Sequence, residues 1–288
     1  MLISVVIPTF NSEKVITRVL KAVFNGEHLP DEVIIVDGGS RDQTVNYARE
    51  FPVKVYHNPK VHAAAARNIG IRYSSGSVIA FTDSDCVPCE DWLSRIYHHF
   101  VSNDNLIGVG GRMLPLPPVN RIEEFSGHVF LNEIMRFPLE SFYIQKRTLA
   151  GSLITANCAY LRDALIHVDG FRDVFGNNAE DIDLFWRLLG QGNLFYDPNV
   201  LVYHSFPNSK RRLAKKYFQY GVASSKLARY HLSTPAIDWF IYRKLFKNLI
   251  KLFIPKQDKE LAFLYSLQLT SHIIGKAVGS IIVRRINL

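Results

Sequence analysis

The chain has 288 residues, 48% hydrophobic and 21% charged, which allows one large domain or a domain with an appendage and excludes extended disorder. Its net charge of +8 favours anionic partners (nucleotide phosphates, nucleic acid or an acidic lipid surface) without choosing among them. Three cysteines exclude a disulfide framework, and Cys86 and Cys89, a CxxC, lack two further ligands at zinc-site spacing, so they read as reduced thiols of a cytosolic protein.

The N-terminus, Met1-Leu2-Ile3-Ser4-Val5-Val6-Ile7-Pro8, has no basic leader and runs straight into a strand, so no signal peptide is expected. Val15, Ile16, Val19, Leu20, Val23 and Phe24 then recur at helical spacing, with Asn11 or Ser12 available as cap. Val33 to Val36 is the next strand, closed by Asp37-Gly38-Gly39-Ser40 and followed by a helix from Asp42 to Phe51. Val53 to Tyr56 is strand-like, Ala63 to Tyr73 helical, and Ser77 to Phe81 a buried strand leading into Thr82-Asp83-Ser84-Asp85. Strand and helix alternate with short Gly-bearing joins, which predicts an α/β open sheet with helices on both faces. Such sheets bind ligands beyond the carboxyl ends of their strands, where Pro8-Thr9, Asp37 and Asp83-Asp85 all fall.

Residues 115 to 150, with Pro115, Pro117 and Pro118, read as an insertion over the sheet. Compact patterning returns from 155 to 206, with a helix from Asp181 to Leu189 and a strand from Val200 to Tyr203. No internal repeat is visible. We divide the chain into a domain over 1–225 and a helical C-terminal region over 226–288. In that region, 239–254 combines Arg243, Lys247 and Lys251 at one helical spacing with Phe240, Phe246 and Phe253, the pattern of an amphipathic helix in a headgroup layer or packed on its own domain. Residues 261–283 are apolar-rich, but Gln268, His272 and Lys276 argue against a spanning helix, and Gly275 and Gly279 permit close helix packing.

Each chemical signal has a bland counterpart. Asp83 and Asp85 suit a hard divalent cation shared with substrate phosphates, or simply a solvated loop. Asp37 beside small residues fits a base or ribose contact. Arg67 and Asn68 in an Ala-rich helix reach a phosphate and ribose, or form a surface salt bridge. Glu180 and Asp181 open a helix, where dipole effects alone favour acids, yet a carboxylate there can also deprotonate a hydroxyl. His204 closes a strand, and a lone histidine is more often structural than a ligand.

Together and in this order, the stretches SVVIPTFN, EVIIVDGGSRDQT, AAAARNIG, FTDSDCVPCEDWL, ITANCAYLRDALIHVDGFRD and NAEDIDLFWRLLGQG with DPNVLVYH resemble the family 2 glycosyltransferases of GT-A fold, over residues 2 to 225. The resemblance implies that Pro8, Thr9, Asn11 and Asp37 hold the base and ribose of a nucleoside-diphosphate sugar, with Arg67 at ribose or diphosphate. It implies Asp85 and His204 as ligands of Mn2+ or Mg2+, with Asp83 at ribose and metal. Asp181 would be the catalytic base with Glu180 beside it, and Asn157 would lie on the donor-sugar or acceptor side. The implied reaction is a single inverting displacement that adds one sugar to an acceptor hydroxyl. The Gln-x-x-Arg-Trp motif and membrane bundle of processive synthases are missing, and Gly38 stands where the family often has a second Asp.

A sugar-nucleotide pyrophosphorylase is the first alternative; it would need a Gly-rich loop with Arg and Lys after the first strand, which Pro8 to Ser12 is not. A non-catalytic membrane- or carbohydrate-binding module is the second, and it has no use for Asp85, Asp181 and His204 together. The positive charge and basic-aromatic tail point to a lipid-linked or glycan acceptor, peripheral contact at the cytoplasmic membrane face, and no nucleic acid.

Overall fold

The structure, a computed structural model, describes residues 1–149, 151–232, 243, 246, 250 and 258–285. Most of the basic stretch 239–254 therefore lies outside the described residues. The chain divides into two compact units: Met1–Leu116 with Met135–His204, and Pro117–Ile134 with Ser205–Leu288. A boundary at 225 falls inside a long helix of the second unit.

The first unit begins with β1 (Ile3–Thr9), α1 (Ile16–Phe24), β2 (Glu32–Asp37), α2 (Thr44–Ala48), β3 (Lys54–His57), α3 (Ala63–Tyr73) and β4 (Val78–Phe81). Strands β3, β2, β1 and β4 pair in parallel in that order. Every residue of β2 and β4 is buried, as expected when both faces of a parallel sheet are covered. Helix α3 lies hard against β1: a Cβ on Gly70 would come 2.3 Å from Val6 Cγ1, so the Ala-Gly composition of this helix is what permits the contact. The expected cap of α1 is not used. Ser12 serves through its backbone carbonyl, which accepts from Val15 and Ile16, while Asn11, at φ +49°, accepts from the Arg41 amide through its side chain. Helix α2 is also shorter than its apolar pattern suggests.

The chain continues through β5 (Cys86–Pro88), α4 (Trp92–Ser102) and β6 (Leu106–Pro115). It then leaves for the second unit with α5 (Arg121–His128) and a π-helical segment, and returns through β7 (Phe142–Tyr143), β8 (Cys158–Leu161), α6 (Arg162–His167), α7 (Glu180–Leu188) and β9 (Asn193–His204). Among the described residues nine strands form one sheet in the order β3-β2-β1-β4-β8-β6-β9-β5, with β7 on β9. β8 runs antiparallel between β4 and β6, so the parallel half gives way to a mixed half beside Asp83.

The second unit is helical: α5 with α8 (Lys210–His231) and α9 (Lys259–Arg285). Phe125, Val129, Leu213, Tyr217 and Leu264 form its apolar centre.

Candidate active site

The carboxyl ends of the strands assemble the site. β1 and β2 place Thr9 opposite Asp37, and the Thr9 hydroxyl donates to the Asp37 carboxylate at 3.2 Å. Asp37 is buried and also accepts from the amides of Gly39 and Ser40, both at 2.9 Å, and from the Ser40 hydroxyl. It therefore shapes the turn after β2 besides lining the site. Pro8 pairs with Val36 one residue earlier, and the Asn11 amide donates to the Ser40 hydroxyl. Ser12 and Ser84 are joined through their hydroxyls at 2.9 Å, which ties this corner to the Asp83-Asp85 loop.

That loop turns tightly, with the Cys86 amide donating to the Asp83 carbonyl, and enters β5. Register then sets Cys86 opposite His204 at the end of β9, which is how a histidine far along the chain reaches the acidic pair. His204 Nε2 lies 3.5 Å from Asp85 Oδ1. Donor atoms of Asp83, Asp85, Cys86 and His204 all fall within 4.8 Å of one another. Burial, reinforced by Asp85 and Asp83, pushes the Cys86 thiol well above its ordinary range, so it stays a neutral packing group. The two carboxylates and the imidazole remain, a hard oxygen pair with one nitrogen, and this donor set fits Mn2+ or Mg2+.

Arg67 is not a surface residue. Its buried guanidinium donates to Glu180 Oε1 and to Asp83 Oδ1, both at 2.7 Å, and lies 5.7 Å from the centroid of the Phe171 ring. The guanidinium thus bridges the Asp83 loop and the start of α7. Asn68 is likewise structural: its amide donates to the Phe171 carbonyl and accepts from the Phe171 amide, at 2.7 and 2.8 Å. Asp183 and Arg187 complete this support, since Arg187 donates to Asp183 and to the carbonyls of Val168 and Gly170. Sequence reasoning assigned these no role; the only signal was their i, i+4 spacing in EDIDLFWR.

Asn157 must be corrected. It is fully buried and accepts from Trp92 Nε1 at 2.8 Å while donating to the carbonyls of Arg112 and Val200 at 2.9 and 2.8 Å. Both its amide hydrogens are spent inside the sheet, so its side chain does not face a sugar.

At the head of α7, Ala179 takes a left-handed conformation, φ +65°, and Glu180 and Asp181 follow. Desolvation, then the adjacent Asp181, push Glu180 up to about 7 despite Arg67. Desolvation also raises Asp181, opposed by the Arg67 charge and by amide donation from Ile182. A carboxylate more basic than usual, held by a fixed cation beside the acidic pair, can take a proton.

The chain also matches a known family. The family model for Glycosyl transferase family 2 covers residues 4–169. The chain belongs to that family, and it is a glycosyltransferase. It is 26% identical over 244 residues to the dolichyl N-acetyl-alpha-D-glucosaminyl phosphate 3-beta-D-2,3-diacetamido-2,3-dideoxy-beta-D-glucuronosyltransferase of Methanococcus voltae, covering 79% of this chain and 74% of that one. It is 29% identical over 242 residues to the pre-mycofactocin glycosyltransferase of Mycobacterium tuberculosis; there the match takes in 80% of this chain but only 48% of the relative. The fold is GT-A. A mannosyltransferase of Pyrobaculum calidifontis solved with GDP-Man and Mn2+ aligns at TM-score 0.66 and 17% identity, over 97% of this chain and 86% of that one. The glucosyl-3-phosphoglycerate synthase of Mycobacterium tuberculosis, solved with Mn2+, UDP and phosphoglyceric acid, aligns at TM-score 0.55 and 18% identity, over 79% and 78%.

Proposed function

We propose that this glycosyltransferase moves one sugar from a nucleoside-diphosphate donor to a hydroxyl of a lipid-linked saccharide, with inversion at the anomeric carbon. The observation that carries the reading is the Arg67 bridge, which holds Asp83 at the acidic pair and Glu180 beside Asp181 through two 2.7 Å bonds. Pro8, Thr9, Asn11 and Asp37, at the ends of β1 and β2, take the base and ribose. Asp83, Asp85 and His204 would hold the divalent cation, whose chemistry when bound is to neutralise charge on the departing diphosphate.

Asp181 accepts the proton of the acceptor hydroxyl as its oxygen bonds to the anomeric carbon. The bond from that carbon to the diphosphate oxygen breaks on the opposite face, so one displacement inverts the centre. Desolvation raises Asp181 and thereby its basicity, and the Arg67 charge opposes that rise. Arg67 is a positioning residue, with one donor on Glu180 and one on Asp83.

The acceptor class rests on the dolichyl-linked substrate in the name of the Methanococcus voltae relative and on the +8 net charge. An acceptor of that kind implies working at a membrane face; among the described residues no helix is long and apolar enough to cross one. The test is release of nucleoside diphosphate from UDP-, GDP- and dTDP-sugars with a polyprenyl-linked acceptor, with and without Mn2+. One donor should give metal-dependent release and a product of inverted anomeric configuration by NMR; retained configuration would overturn the single displacement.

A further inference from the structure

Helix α9 buries Leu264, Leu269 and Val283, yet much of what it turns toward α8 is small or polar. A Cβ on Gly275 would come 2.0 Å from the Phe218 carbonyl oxygen, and one on Gly279 would come 2.8 Å from Val222 Cα. Across the same contact a Cβ on Gly221 would meet the His272 carbonyl oxygen at 2.1 Å, and the Ser225 hydroxyl donates to the Lys276 carbonyl. Gln268 and His272 are buried. Meanwhile Phe263, Ile274, Val278 and Ile281 stand outward, 50%, 56%, 36% and 54% exposed. Their spacing keeps all four on one stripe of a 3.6-residue helix. A helix pair surrounded by water sorts its side chains the other way. Glycine-mediated contact with polar atoms inside and apolar atoms outside is the arrangement of helices whose surroundings are themselves apolar.

Charge selects the surroundings. α8 contains no Asp or Glu and exposes Lys210, Arg211, Arg212 and Lys215. Lys210 Nζ sits 5.1 Å from the centroid of the Phe263 ring, so the cationic row borders the apolar stripe directly. Between 261 and 283 the one charged residue is Lys276. A second copy on this face would bring like charges together, whereas anionic headgroups neutralise them and acyl chains take the stripe.

We propose that the α8–α9 pair is an in-plane membrane anchor, the apolar stripe of α9 set into the headgroup boundary of an anionic bilayer and the cations of α8 on its phosphates. This deepens the membrane side of the proposed function, and rests on that reading only for the reason the enzyme would need a bilayer.

The experiment uses the full chain and sucrose-loaded vesicles of phosphatidylcholine alone or mixed equally with phosphatidylglycerol, with no donor or acceptor present. Wild type should pellet with the mixed vesicles and far less with phosphatidylcholine. The double variant Ile274→Ser/Ile281→Ser should lose about tenfold in partitioning while keeping its melting temperature. Lys210→Ser/Arg212→Ser should lose binding chiefly at low salt. Unchanged pelleting of the double variant would overturn the proposal. So would a wild-type dimer in light scattering that the double variant splits without change in pelleting, or a large fall in melting temperature with pelleting intact, which would mean that protein rather than lipid covers the stripe. Donor hydrolysis measured in parallel separates the readings: if vesicle binding fails while hydrolysis persists, the anchor alone is wrong, and if hydrolysis is lacking while binding holds, the transferase chemistry is at fault.

Discussion

Arg67 and Glu180 meet through a 2.7 Å charge-assisted hydrogen bond with both side chains almost wholly buried, 3% and 6% exposed. The second donor of the same guanidinium holds Asp83. One planar fork therefore fixes the distance between the acidic loop after β4 and the start of α7, the two places the chemistry needs together.

Replacing Arg67 should cost both stability and rate. Arg67→Ala leaves Glu180 buried without its cation, which costs about 3–5 kcal/mol when one partner of a buried pair is removed. Arg67→Lys keeps the charge, but a point donor cannot span two carboxylates, so turnover should still fall by about 10²-fold while the fold survives. Thermal melts and steady-state kinetics of the two variants check this.

Glu180 predicts a pH effect on stability with a definite sign. Its carboxyl is raised from 4.5 to about 7 in the folded chain, so the folded state holds its proton more tightly than the unfolded one. That contribution is complete below the unfolded value and is lost as pH climbs from about 4.5 through about 7. Wild type should lose stability across that window on this account, and Glu180→Gln should flatten the profile. Denaturant melts between pH 4.5 and 8 read the difference; parallel profiles would reject the assignment.

Asn157 is expected to behave as a structural residue. Asn157→Ala removes the acceptor of Trp92 and two buried carbonyl partners, each unsatisfied group costing about 1–3 kcal/mol. The melting temperature should drop while KM for the donor stays within about twofold, since none of its side-chain atoms faces a ligand. A specific rise in KM with an unchanged melt would restore it to the sugar site.

Much of the parallel half was legible, because β2 and β4 are uninterrupted apolar runs and their ends carry the acids directly. Asp83, Asp85 and His204 converge as expected, since β5 needs only to pair with β9 to bring Cys86 opposite His204. Asn157 and Asn68 misled for one reason: an amide beside a motif looks like a ligand contact, while Trp92, Val200 and Phe171, which consume these amides, are distant in sequence. The unit boundary was hidden in the same way. α5 lies inside the irregular proline-rich stretch, and nothing local reveals that Phe125 packs with Leu213 and Leu264. The basic run that opens α8 was not singled out from the sequence, and the outward apolar stripe of α9 emerges only once Gly221, Gly275 and Gly279 set which face is inside.

The most direct measurement is Asp181→Asn, with transfer followed as nucleoside diphosphate release in the presence of acceptor and donor affinity measured separately by calorimetry. If Asp181 is the base, turnover should fall about 10³-fold with donor affinity within about twofold of wild type. Turnover near wild type, or a loss explained entirely by weakened donor binding, would contradict it.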